Sequence, residues 1–471
     1  MISLLRSLLS RSHAPHAALA TVCLGVLSPT SAAAQVDDCT VNWCWRGEVS
    51  RSLRPDVAWA PGGNLGLAVW EDPETAEVWY RTFDEGGYRT RPPVLLASEA
   101  GRPRVAARDD GFFVVFEDYA HGPGTRVIRG QLLPLGNLTC SGWFCSPWPR
   151  SIAISEPGAV EEIRPEVQPM ADGERFAVAW TSLRDLPGPA PHPDGHFMMR
   201  LVDPPVTHQL CWPGPCSYLE PTGGDQVHRT GSRPVLGDVG DGLMWAAYAE
   251  PAASWPSLTF ATLDEVSVRG WPDILFEDVD RRVDHVLDVT WTPSAQSLAA
   301  VIEPRVAAGP ATSALAEHLM VWEEARPVPI EDDQSVYGTC LDVAIATGDV
   351  DSPSGFFEIA YHPHQAKTRP HAVHVAGESK YLVVWADEER PAELFWAWSN
   401  VRASYVDCQG STPVVGPSFW VSKTFDFSML PRVASNGASA YVVYEEARSS
   451  GARVILRKVT GTAVGPTLYL D

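Results

Sequence analysis

Lysine is nearly missing: Lys367, Lys380, Lys423 and Lys458 are the only four in 471 residues, so basic charge rests almost entirely on arginine. Positive charge is scarce altogether, with 36 Lys+Arg against 58 Asp+Glu and a formal net charge of −22. A field of that sign repels phosphate backbones and anionic lipid surfaces, so no nucleic-acid or membrane-surface partner is expected. Beyond residue 34 no stretch approaches the roughly 18 apolar residues needed to span a bilayer, so no transmembrane segment is expected either. Nucleotide-binding loops, HExxH and GxSxG are absent, which removes the usual marks of P-loop, zincin and serine-hydrolase chemistry.

What is present begins with a leader. Residues 1–34 read as a secretory signal peptide: Arg6 and Arg11, then the apolar run AALATVCLGVL from Ala17, then Ala32-Ala33-Ala34 before Gln35. Cleavage near Ala34 predicts a secreted, periplasmic or cell-surface protein. Val22 before Cys23 is a poor match to a lipoprotein cleavage site, which argues against a lipid anchor.

The remainder is repetitive. A strand opening on Pro-x-Val, a small polar turn and an aliphatic-aromatic strand ending in acid recur seven times: RPDVAW…LGLAVWED from Arg54, RPRVAA…FFVVFED from Arg102, RPEVQP…RFAVAW from Arg164, RPVLGD…LMWAAYAE from Arg233, DHVLDVTW…SLAAVIEP from Asp284, RPHAVHV…YLVVWAD from Arg369 and LPRVAS…AYVVYEE from Leu430. A unit recurring about every 50 to 70 residues that cannot bury its own apolar face signals a repeat architecture. The second unit divides into four β segments, Arg102–Ala107, Phe112–Asp118, Thr125–Leu132 and Arg150–Ser155. The turns Asp109-Asp110-Gly111, Asp172-Gly173, Asp241-Gly242 and Asn436-Gly437 are expected to supply the positive φ of tight hairpins. Third segments recur as VWYRTF from Val78, HFMMRLV from His196, LFWAW from Leu394 and RVILRKV from Arg453. Fourth segments recur as PVLLAS from Pro93, SIAIS from Ser151 and FWVSK from Phe419.

These features predict an all-β fold, a seven-bladed β-propeller of four-stranded antiparallel blades over residues 54–471, with six or eight blades as alternatives. The fifth unit is the irregular one: HLMVWEE, His318–Glu324, reads as its third strand, or else as part of an eighth blade. Residues 35–53, with Trp45–Ser50 as fourth-strand material, are expected to contribute to ring closure against Pro466–Leu470. The chain resembles the tandem-repeat β-propellers of exported bacterial proteins over about nine-tenths of its length, with Pro-x-Val-Ala and Val-Val-Trp-x-Asp as the matching pieces. That scaffold serves lectins, hydrolases and scaffolding proteins alike.

Eight cysteines follow the leader, all placed by the pattern just before a fourth strand. Cys39 with Cys44, Cys140 with Cys145 and Cys211 with Cys216 are expected to form local disulfides, in keeping with export. Cys340 and Cys408 occupy the same connection in adjacent blades and can pair across the boundary if their Cα atoms lie within about 7 Å. A zinc site would need four thiolates converging from separate blades, so no metal is expected.

Candidate ligand-binding residues are the arginines that open the repeats, Arg54, Arg102, Arg164, Arg233 and Arg369. They would ring the mouth of a central channel. Hairpin geometry also sets Arg54 beside Glu71 and Asp72, Arg102 beside Glu117 and Asp118, and Arg369 beside Asp387, so structural ion pairs compete with ligand binding. Sialidases likewise carry an arginine cluster on a propeller, but their Ser-x-Asp-x-Gly-x-Thr-Trp boxes are absent here. Trp143 and Trp212, among aromatics crowding the cysteine loops, are further ligand-binding candidates. His362, His364, His371 and His374 form a histidine-rich stretch without a matching carboxylate motif, and Asn137-Leu138-Thr139 is a glycosylation sequon. Taken together the sequence predicts a monomeric, cofactor-free, non-catalytic exported binding protein recognising a glycan or protein through its loop faces. The alternatives are a glycan-cleaving hydrolase with carboxylates at the channel mouth and a structural surface or matrix component.

Overall fold

In the computed structural model, described residues lie between 53 and 471, apart from 121–124, 140–150, 156–160, 170–174, 184–195, 203–226, 252–255, 265–282, 290–299, 326–333, 345–349, 390–397 and several shorter stretches; from 227 to 311 the description is of backbone alone. The leader, Trp45–Ser50, Trp143, Trp212, His362, His364 and the six cysteines of the local pairs fall outside the described residues.

Every blade starts with an apolar stretch that cannot be buried by the hairpin itself. Each is a meander of four antiparallel strands, as in the second: Ala100–Arg108, Gly111–Asp118, Val127–Pro134 and Ile152–Ala153. Among the described residues seven such units occur, and the fifth and sixth are joined into one ten-stranded sheet by a single parallel bridge between Gln334 and Ala366. The innermost strands are Asp56–Ala60, Ala100–Arg108, Glu162–Pro169, Ser232–Gly240, Ala300–Ala311, Gln365–Val375 and Phe427–Ser435. Each neighbours the next, and the seventh neighbours the first, so the sheets close into a ring around an axis. This is a seven-bladed propeller.

Where side chains are described, the second strands are largely buried on both faces, because a blade packs between two others. Gly111–Asp118 is buried throughout, and Leu65–Asp72 is buried to its last residue. The hydrophobic clusters therefore lie between blades. Phe113 of the second blade stacks on Phe176 of the third at 5.0 Å, and Trp59 of the first stacks on Tyr441 of the seventh at 4.8 Å. The first and last blades are also joined by polar contacts: the Leu53 N–H donates to Glu445 Oε2 at 2.9 Å, and Arg81 donates to the Leu470 carbonyl at 2.7 Å.

Two expectations need correction. Val283–Val289 pairs with Pro256–Asp264 as the fourth strand of the fourth blade, and is not the opening strand of the fifth. The fifth blade opens on Ala300–Ala311, whose Glu303-Pro304-Arg305-Val306 is the true Pro-x-Val copy, and HLMVWEE lies in its second strand, Leu315–Ala325. The copy was obscured because glutamate stands where the other blades carry arginine or leucine, and because an apolar, alanine-rich connection hides the turn. Its place restores the spacing, Pro304 lying nearly midway between Pro234 and Pro370. In the sixth blade the described part of the third strand is Trp398–Asp407, and of LFWAW only Trp398 lies within the described residues.

The hairpin turns are not of one kind. Gly437 takes φ 88°, as expected of an Asn-Gly turn, but Asp109, Asp110 and Gly111 do not take positive φ. There the turn is the Asp109-Asp110 pair between Arg108 and Gly111, with Arg108 bridging Asp110 at 2.9 Å. Gly111 is required for another reason: a Cβ would stand 2.7 Å from the Leu133 carbonyl oxygen.

Cys340 lies within the third strand of the fifth blade, Gln334–Ala344, rather than in the connection after it. It forms a disulfide with Cys408, Cα to Cα 5.8 Å, tying the fifth blade to the sixth across 68 residues of chain. Both cysteines are buried. Cys340→Ser is expected to lower stability under oxidising conditions by about 2–4 kcal/mol, and adding a reductant should bring the wild type toward the variant. Equal denaturant midpoints for the two proteins without reductant would contradict this.

Candidate functional site

The repeat proline organises the centre of the ring. Among described residues Arg54, Arg102, Arg164, Arg369 and Leu430, each directly before a repeat proline, take φ between 41° and 57°. A side chain in that left-handed region costs about 1–2 kcal/mol, so something must hold it. The inner strands slip register at this point, as between Gly101 and Arg104 or between Met429 and Arg432, making a bulge at the X-Pro step. The bulge turns a backbone N–H toward the preceding blade. The Arg102 N–H donates to Glu71 Oε2 at 2.9 Å, and the Arg164 N–H donates to Glu117 Oε1 at 2.9 Å. A carboxylate closing one blade thus fixes the bulge of the next.

The same carboxylates hold the mouth arginines. Arg54 meets Glu71 at 3.2 Å, and Glu117 receives Arg102 at 3.6 Å and Arg126 at 3.0 Å. Tyr119 donates to Glu117 at 3.4 Å, and a Cβ on Gly101 would stand 2.3 Å from that hydroxyl, so only glycine fits. In the sixth blade the residue facing Asp387 is Lys367, which pairs with it closely, joined by Arg402 at 3.3 Å. Arg369 sits two residues past Lys367, in the bulge between Thr368 and His371. Backbone alone is described at Arg233.

One residue past each proline is a second row that the repeat pattern did not single out. Asp56, Arg104, Glu166, Val235, Arg305, His371 and Arg432 pair in identical register with Val69, Val115, Ala179, Ala247, Val321, Val384 and Val443 of their blades. They therefore stand at one level of the ring. Arg104 bridges Glu166 at 3.1 Å, and Asp56 Oδ2 accepts the Val105 N–H at 2.9 Å. Burial pushes the Asp56 carboxyl above its ordinary 3.8, opposed by Arg104 and Arg432 and reinforced by Glu166. A group in the first blade that feels charges in the seventh, second and third lies where the inner strands converge. The signal was available: in this row the chemistry changes from blade to blade while the proline before it and the apolar residue after it stay alike.

Among the described residues no group of three or more potential ligands comes together to hold a metal. His374 lies edge-on to Tyr381 at 5.1 Å, and burial lowers its pKa. Asn137 lies in the short helix Leu135–Thr139. Among the described residues no helix is long and apolar enough to cross a membrane.

Fold and site together define a seven-bladed β-propeller with a charged belt around its axis. No protein-family model and no curated protein matches the sequence. Several solved structures are similar at low levels. An α-L-arabinofuranosidase from Lactobacillus brevis has TM-score 0.33 and 9% identity, covering 60% of this chain and 86% of its own. A Trypanosoma rangeli sialidase has TM-score 0.38 and 11% identity over 79% of this chain, which spans 56% of the sialidase. The Bacteroides ovatus xyloglucan-locus GH43B has TM-score 0.29 and 10% identity over 89% of this chain and 82% of its own. Likenesses of that size carry no functional argument, and the chemistry rests on the belt itself.

Proposed function

We propose that the protein is a glycan-cleaving hydrolase whose acid pair is Asp56 and Glu166 on the axis, not the carboxylates at the mouth. One observation carries the reading: a buried carboxyl with a raised pKa stands within electrostatic reach of a second carboxylate paired with an arginine. Two acids whose environments differ in this way suit the two roles of glycoside hydrolysis. Asp56, its pKa raised by burial, would donate a proton to the leaving glycosidic oxygen as the C–O bond breaks. Glu166, paired with Arg104, would direct water or its own oxygen to the anomeric carbon. Both acids are singular in their row, as a catalytic pair in a repeat protein should be, whereas Glu71, Glu117 and Glu445 recur at one site and serve architecture.

The test is a panel of aryl glycosides and polysaccharides given to the full chain, reading released aglycone and reducing ends. Turnover that disappears in Asp56→Asn and Glu166→Gln supports the reading; turnover surviving both variants, or none on any substrate, sinks it. Recognition without cleavage is the second reading. Its support is that Arg54 and Arg102 are held in ion pairs, which makes the mouth a built surface instead of a reactive one.

A further inference from the structure

One end of the fifth blade gathers acid. Glu317, in its second strand, stands directly opposite Asp342 of the third, and Asp342 stands opposite Asp351 of the fourth. Like charges directly opposite one another destabilise a sheet. The sixth blade adds Asp407, the last residue of its third strand. Burial raises the Glu317 pKa above its ordinary 4.5; the Tyr381 hydroxyl of the sixth blade opposes this, and Asp342 and Asp407 reinforce it. Burial, and then Glu317, pushes the Tyr381 hydroxyl up in turn, so it stays protonated. His374 lies edge-on to Tyr381, and burial lowers its pKa below 6.5, so it is mostly neutral at pH 7. Lys380 lies on the other face of its strand, the face on which Leu382 packs toward the seventh blade.

The two blades are tied at the same place. Cys340 lies two residues before Asp342 in its strand, Cys408 follows Asp407, and the disulfide between them shares a buried apolar cluster with Tyr381. A covalent bond thus crosses the seam where Glu317 of one blade meets Asp407 of the other. The direction of the pH effect is fixed by the Glu317 pKa. An acid whose pKa is raised while the seam is closed favours closure fully below 4.5, and less as pH rises through the closed-state value. Charging Glu317 therefore pushes the blades apart, and the disulfide opposes the separation.

We propose that the seam between the fifth and sixth blades is a joint that opens only when two conditions are met, reduction of the Cys340–Cys408 disulfide and ionisation of Glu317. It lies away from the axial acids and does not depend on what they do. A dithiol supplies the two electrons: the S–S bond breaks, each cysteine sulfur ends as S–H, and the dithiol closes to its own disulfide. The experiment is hydrogen exchange of the full chain, oxidised and dithiothreitol-reduced, at pH 4 and pH 7, followed in the amides of Gln334–Ala344 and Lys380–Glu389. In the reduced protein protection is expected to fall by at least about threefold from pH 4 to pH 7. In the oxidised protein it should not fall, and Glu317→Gln should keep the reduced protein protected at pH 7. Asp407→Asn should make the fall smaller, and it decides if Glu317→Gln does not fold. Equal protection of the reduced protein at the two pH values overturns the proposal. So does the same fall in the oxidised protein or in the variants, or a reduced chain that is already open at pH 4.

Discussion

Glu117→Ala is expected to be among the most destabilising single substitutions in the protein, lowering the unfolding free energy by about 3–5 kcal/mol. Glu117 is fully buried and answers four donors at once: the Arg102 and Arg126 guanidinium groups, the Tyr119 hydroxyl and the Arg164 N–H. Alanine removes the acceptor and leaves those groups in place, two of them charged and all of them half-buried. It also releases the clamp on Arg164, whose φ of 57° persists only while held. Glu117→Gln keeps one oxygen for the Arg164 N–H but gives up the charge, so a smaller loss of about 1–3 kcal/mol is expected. Urea titrations of the three proteins measure both. Midpoints within error of one another would show that the third blade does not depend on the second through this carboxylate.

Asp56→Asn should separate chemistry from folding. Loss of a general acid typically costs a factor of about 10²–10⁴ in turnover, and that is the drop expected on any substrate found. Stability should respond differently. Asparagine keeps an oxygen for the Val105 N–H, so the joint between the first and second blades survives. The folded pKa of Asp56 lies above its ordinary 3.8, so between these values the native state holds a proton that the unfolded chain has released. Its contribution to stability is therefore full below about 3.8 and declines as pH rises through the folded value. The variant cannot ionise and escapes that decline, so it should match or exceed the wild type near neutral pH. Unfolding followed across pH 3 to 8 is the measurement. A wild type that gains stability relative to Asp56→Asn over that range would contradict the raised pKa.

Much of the architecture is legible in the repeats. Buried second strands such as Gly111–Asp118 read as unbroken apolar runs because both faces pack against other blades, and the acid that ends them marks the mouth. The misplacement of the fifth unit has the same origin. A pattern of apolar strands does not say which strand of a blade is innermost, and Val283–Val289 has the composition of either. Pairing with Pro256–Asp264 decides it. The ion pairs Arg54–Glu71 and Arg102–Glu117 follow from hairpin geometry and were readable. That Glu71 and Glu117 also accept N–H groups of the following blade was not, since contacts between blades have no fixed offset in sequence.

By itself, then, the sequence determined the module and that it repeats, because alternation, turns and repeated prolines are local properties of the chain; strand pairing settled where the fifth copy begins. Tertiary structure alone decided that Asp56, Arg104, Glu166 and Arg432 share one neighbourhood. Residues separated by hundreds of positions meet only when the ring closes, and closure buries a carboxyl that local sequence leaves looking like any exposed aspartate. The physical reason is convergence: inner strands that are remote along the chain become adjacent at the axis, so charge there is a property of the closed ring and not of any single repeat.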